Sequence, residues 1–138
     1  MNLPIYPLGV PLMDEDHFAL EQMFARTPYL ADVELEAHFD AIQREIAAHF
    51  AREEAEMARV GVPVLHCHRS QHAALLQEVE ALRQNFSRAD APMRRHLIGF
   101  VMAQLVANHI ANVDRIAATF FGQTWDGSAA GCSADSCG

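Results

Sequence analysis

Within residues 49–72, two pairs of chemistry-bearing side chains recur at helical spacing: His49 with Glu53, and His68 with His72. Positions i and i+4 share one face of a helix, so each pair can point two donors at one spot. Gly61 and Pro63 stand between the pairs, where a helix breaks and the chain can reverse. Two helices folded back on each other would bring all four groups together. Imidazole and carboxylate donors without thiolate suit iron, zinc, copper or manganese. The three cysteines, Cys67, Cys132 and Cys137, are odd in number and form no Cys-x2-Cys pair, which argues against a disulfide framework or a zinc–thiolate site.

These donors need helices to position them, and the chain carries the pattern of four. Residues 1–12 hold three prolines and a glycine and read as an extended N-terminal arm. Asp14 reads as an N-cap, with Asp14, Glu15 and Asp16 suited to the positive end of a helix. The first helix carries His17, Leu20, Met23 and Phe24 on one stripe and ends at Thr27-Pro28. The second runs from about Asp32 to Val60, with Leu35, Phe39, Ile42, Ile46, His49, Glu53 and Met57 as its seam. The third runs from about Leu65 to Phe86, with Leu65, His68, His72, Leu75, Val79, Leu82 and Phe86 inward. The fourth spans about Pro92 to Phe121 behind an Asp90 cap, with Ile98, Met102, Leu105, His109, Val113, Ile116 and Phe120 inward. The expectation is an all-α, up-down-up-down four-helix bundle over 13–122, with the arm at 1–12 and a flexible, disordered tail at 123–138.

Composition narrows the function. A formal net charge of −8 argues against a nucleic-acid surface. No apolar run reads as a membrane span, and no basic region followed by an apolar core marks the N-terminus, so a cytoplasmic location is expected.

His17, His49, His68, His72 and His109 lie on or beside the apolar faces of the four helices. A lone core histidine more often packs and hydrogen-bonds than ligates. Five at similar depth cannot all satisfy one another, whereas a metal site would satisfy them together. Two metals bridged by carboxylates fit this count, with Glu53 as one candidate bridge. Asp114, the other, follows His109 by five residues. On an α-helix such positions lie roughly 140° apart, so helix geometry alone does not select it. His38 reads as a bundle-end histidine, His66 and His96 as exposed, Glu21, Glu54 and Glu56 as solvated flanks, and Cys67 as a packing thiol.

The order of these residues resembles the hemerythrins, particularly the single-domain bacterial ones: His17 on helix one, His49-x3-Glu53 on helix two, His68-x3-His72 on helix three and His109-x4-Asp114 on helix four. The resemblance covers about residues 13 to 121. It implies two iron ions, oxo- or hydroxo-bridged, held by His17, His49, Glu53, His68, His72, His109 and Asp114. His68, His72 and His109 would complete six-coordination at one iron, and His17 and His49 would leave a position open at the other. Reversible dioxygen binding follows, for carriage, storage or sensing, beside a pocket of Leu20, Phe50, Leu105, Val106 and Ile110. A redox enzyme acting on peroxide, dioxygen or nitric oxide is the alternative, and iron storage or delivery a third reading. The family often has Trp-Leu where this chain has Leu105-Val106, and Tyr where it has Val62. Those departures bear on oxygen affinity and autoxidation.

Overall fold

The computed structural model describes residues 5–121, and no strand occurs among them. Four long helices account for most of that span: α1 (Pro11–Arg26), α2 (Leu35–Val60), α3 (Leu65–Ser87) and α4 (Ala91–Ala118). Two short 3-10 turns, Thr27–Tyr29 and Asp32–Glu34, join α1 to α2. α2 packs against both α1 and α3, and α4 contacts α1, α2 and α3, so the helices form a bundle.

Local chemistry accounts for the boundaries. α1 starts at Pro11, two residues inside the expected arm, because proline's fixed φ suits the first helical position. Val10 is the N-cap residue in place of Asp14. The Asp14 carboxylate instead reaches back to accept from the amides of Leu8 (2.7 Å) and Gly9 (3.0 Å), tying the arm to the helix. α2 ends at Gly61, whose φ of +74° is the left-handed conformation a helix stop uses and glycine adopts freely. Asp90 caps α4 as its sequence suggests, accepting from the Met93 amide at 2.9 Å.

α4 is not uniform. Two π-helical segments, Leu97–Met102 and Ile110–Asp114, interrupt it. Each adds a residue to the turn and shifts the inward face. The buried positions of α4 beyond Leu97 and Ile98 are Met102, Ala103, Val106, His109, Ile110, Asp114 and Ala117. Ile116, expected inward, is 55% exposed, and Leu105 and Val113 are only half-buried. α4 is also long and apolar enough to cross a membrane, with a mean hydropathy of 1.2 over its most apolar stretch, where none was expected. Its inward face here forms part of the bundle core, as in the core helix of any bundle.

The interior is layered. A large apolar cluster includes Leu20, Phe39, Ile42, Ile46, Val79, Phe86 and Met102. A small one joins Met13, Met57, Val62 and Ala117. Fully burying a side chain such as Phe39 or Phe86 stabilises the fold by about 1.5–3 kcal/mol each. Along every helix the polar residues of interest fall between the two clusters: His17 between Met13 and Leu20, and His49 with Glu53 between Ile46 and Met57.

Candidate metal centre

The layer between the clusters holds His17, His49, Glu53, His68, His72, His109 and Asp114 together. His109 is 7% exposed and the other six are at most 2%. Two overlapping sets of donors converge, with the atoms of each set within 4.8 Å of one another: Glu53, His68, His72, His109 and Asp114 in one, His17, His49, Glu53 and Asp114 in the other.

Glu53 and Asp114 belong to both sets, and each gives one oxygen to each. Glu53 Oε2 lies 3.2 Å from His49 Nε2. Its Oε1 contacts His68 Nε2 and lies 3.5 Å from His72 Nε2. Asp114 Oδ2 lies 2.8 Å from His17 Nε2 and 3.8 Å from His49 Nε2. Its Oδ1 lies 3.2 Å from His68 Nε2 and 3.0 Å from His109 Nε2. Asp114 reaches this position because the π segment Ile110–Asp114 lies between it and His109 and closes the angular gap that an α-helix would leave.

Two imidazoles are gripped from behind. His49 Nδ1 donates to Asp16 Oδ2 at 2.9 Å, and Asp16 is held in turn by Arg52 Nε (3.1 Å) and Nη2 (2.9 Å). His72 Nδ1 donates to Glu54 Oε2 at 2.9 Å, and Glu54 accepts from Arg69 Nε at 3.2 Å. A carboxylate behind Nδ1 fixes the tautomer that presents Nε2 as a lone pair and raises its basicity. Phe50 stacks flat on His72, centroids 3.7 Å apart, and fixes that ring's plane.

The charges are mutually dependent. Burial works to raise the Asp114 carboxyl, but the imidazoles of His109, His17, His49 and His68 gathered around it hold it well below the ordinary value. Burial works against a charge on His68, and the carboxylates of Asp114 and Glu53 beside it outweigh that, pushing the imidazole up to about 9. His49 is raised in the same way, by Asp114, Glu53 and Asp16 against its burial. Protons on imidazole thus supply positive charge where a cation would otherwise supply it.

The residues fit a metal on evidence of their own. His49 Nε2, His72 Nε2, His109 Nε2, Glu53 Oε2 and Asp114 Oδ1 are buried and have no hydrogen-bond partner among the described residues. Buried polar atoms left so are costly, and cations in this layer would satisfy them.

Other candidates separate cleanly. Leu20, Phe50, Val106 and Ile110 are buried in the large apolar cluster, and Leu105 packs on it half-buried. His38 is structural: its Nε2 donates to the Met23 carbonyl at 2.9 Å. His66 and His96 are exposed. Glu54 is not the solvated flank it resembles, and Asp16 escapes sequence reading as a partner of His49. The only signal was adjacency, since each neighbours a buried donor and so lies about 100° round the helix, at the edge of the buried face. Cys67 is disulfide-bonded, not a packing thiol. Cys132 and Cys137, with the rest of the expected tail, lie outside the described residues.

The sequence profile of the hemerythrin HHE cation binding domain matches residues 8–120. The chain is 27% identical over 116 residues to a bacteriohemerythrin of Ralstonia nicotianae (strain ATCC BAA-1114 / GMI1000), covering 84% of each. No solved structure gives a significant match. A profile that spans the bundle, matched to a buried donor layer of this composition, places the chain in the hemerythrin HHE cation-binding family.

Proposed function

We propose that the chain is a non-haem di-iron protein that binds dioxygen reversibly. One observation carries this: Glu53 and Asp114 each turn one oxygen to a three-histidine set and the other to a two-histidine set. Carboxylates so shared are what two metals a bridge apart require, and imidazole with carboxylate suits iron.

His68, His72 and His109 would hold one iron, His17 and His49 the other, with Glu53 and Asp114 common to both. Bound there, the pair of irons would supply reversible two-electron exchange with a small oxidant. The unequal donor count leaves the two-histidine side the place for a diatomic ligand. The protein's own contribution is orientation and dryness. Asp16 and Glu54 hold His49 and His72 in one tautomer. Leu20, Phe50, Val106 and Ile110 line the layer with apolar surface that excludes water and protons. The order of apolar, polar and apolar layers along each helix supports an up-down-up-down course, which keeps donors from all four helices level.

The test is metal analysis of protein made with iron available, followed by the visible spectrum of the reduced form as dioxygen is added and removed. Two irons per chain and an absorption that appears and disappears with dioxygen are expected. One iron, zinc alone, or an absorption that never reverses would sink the reading.

A further inference from the structure

Among the described residues, two of the seven donors border an opening, His109 and His17. An open cleft of about 270 Å³ lies between α3 and α4, lined by Glu78, Leu105, Asn108, His109, Asn112 and others. Of the seven donors, His109 is the one that lines it, and it is also the most exposed. A second opening borders His17 beneath Ile5, Tyr6 and Pro7, but it holds only about 80 Å³. Its roof is tied down through Asp14, which accepts from the Leu8 and Gly9 amides.

We propose that the α3/α4 cleft is the port through which a divalent cation enters and leaves the centre; this rests on the di-iron reading above. A hydrated cation cannot cross either apolar cluster, because stripping its water without replacement is prohibitive. The cleft offers replacement. Glu78 is an exposed carboxylate at its lining. Asn112 donates one amide hydrogen to the Asn108 carbonyl at 2.8 Å, and its Oδ1 is an acceptor. Oxygen donors of this kind exchange readily for the waters of a hard cation. His109 borders the cleft and also places Nε2 3.0 Å from Asp114 Oδ1, so it belongs to both port and centre. Asn112 and Val113, two of the cleft residues, lie in the π segment Ile110–Asp114. The net charge of −8 draws cations toward such an opening and repels anions. Leu105 sets the width of the port, since a bulkier side chain at this half-buried position would fill it.

The experiment uses the protein with the metal it is isolated with and measures release of that metal to an excess chelator. Leu105→Trp should slow release about tenfold, and Glu78→Gln a few-fold with the effect shrinking at high salt. Phe18→Ala, which widens the opening beside His17, should leave the rate as in the wild type. Normal metal content with an unchanged rate in Leu105→Trp, or faster release in Phe18→Ala, overturns the port alone. A chain isolated without metal overturns the di-iron reading and the port with it. If Leu105→Trp fails to fold, Glu78→Gln and Glu78→Ala at their exposed position decide the matter: unchanged release in both overturns the proposal.

Discussion

Two pairs of histidines in one polar layer are treated differently by the fold. His49 and His72 each donate Nδ1 to a carboxylate, Asp16 and Glu54, and each carboxylate is pinned by an arginine. His17 and His109 each border an opening, and His17 Nδ1 has no hydrogen-bond partner among the described residues. The gripped pair belongs to α2 and α3, the two helices whose i, i+4 donors face each other across the Gly61 turn. The bordering pair belongs to α1 and α4, the first and last helices. The contrast teaches a division of labour. Hydrogen-bonded support behind the rings is concentrated on the α2–α3 hairpin, and the openings lie beside α1 and α4.

Glu53 lies outside that contrast because it serves both sets, so its loss should have the largest effect. Glu53→Ala removes the one carboxylate that faces His49, His68 and His72. It removes one of the two carboxylates facing Nε2 of the buried rings of His49 and His68 and the one facing His72 Nε2, and removing one partner of a buried pair costs about 3–5 kcal/mol. Metal analysis should find well under two ions per chain, and thermal unfolding should come at lower temperature. A variant that keeps its metal and its melting temperature would show that the two sets do not depend on a common bridge.

The contrast itself is broken or upheld by substitutions behind the rings. Asp16→Asn and Glu54→Gln should each weaken metal affinity by about 10–100-fold, the usual cost of losing a carboxylate behind a ligating histidine. Glu21→Gln, which borders the cavity beside His17 but makes no hydrogen bond to it, should change affinity little. Competition with a chelator of known affinity reads all three. Equal losses in all three would abolish the distinction between gripped and bordering rings.

Acidity tests it more gently. In the metal-free chain His68 is raised from 6.5 to about 9 by Asp114 and Glu53 against its burial. A group whose pKa rises on folding adds stability in full below its unfolded value and loses it as pH climbs through the folded one. The melting temperature of the metal-free protein should therefore fall between about pH 6.5 and 9, while metal affinity rises over the same window as protons cease to compete. A melting temperature that rises across this window would contradict the charge balance described for the layer.

Much of this was legible in residue spacing. His49 with Glu53 and His68 with His72 are i, i+4 pairs, and an α-helix of either composition puts them on one face. His17 and His109 fell on predicted apolar stripes. Asp114 was legible only through resemblance, because a π segment is a local change of hydrogen-bonding register that side-chain types do not announce. The same change made the far end of α4 misleading: a regular period places Val113, Ile116 and Phe120 inward, whereas Asp114 and Ala117 are the buried residues. Asp16 and Glu54 were illegible for a different reason. An acidic residue at the edge of a buried face is usually solvated, and only the ring it happens to meet across the helix interface makes it a partner.

The smallest expected effect tests that register directly. If the π segment Ile110–Asp114 shifts α4 by one residue, Ile110 and Ile116 differ in environment despite their identical side chains. Ile110 is 3% exposed within the apolar cluster and adjoins His109, whereas Ile116 is 55% exposed. Ile110→Ala should cost about 2–5 kcal/mol, the price of a cavity in a packed core. Ile116→Ala should fall within about 0.5 kcal/mol of the wild type, and its metal content should not change. Both are read by denaturant unfolding of the metal-loaded protein. A regular α-helix would reverse the expectation for Ile116, returning it to the core and carrying Asp114 out of reach of His109. A large loss at Ile116 would therefore count against the π segment and, with it, against Asp114 as a donor to both halves of the layer.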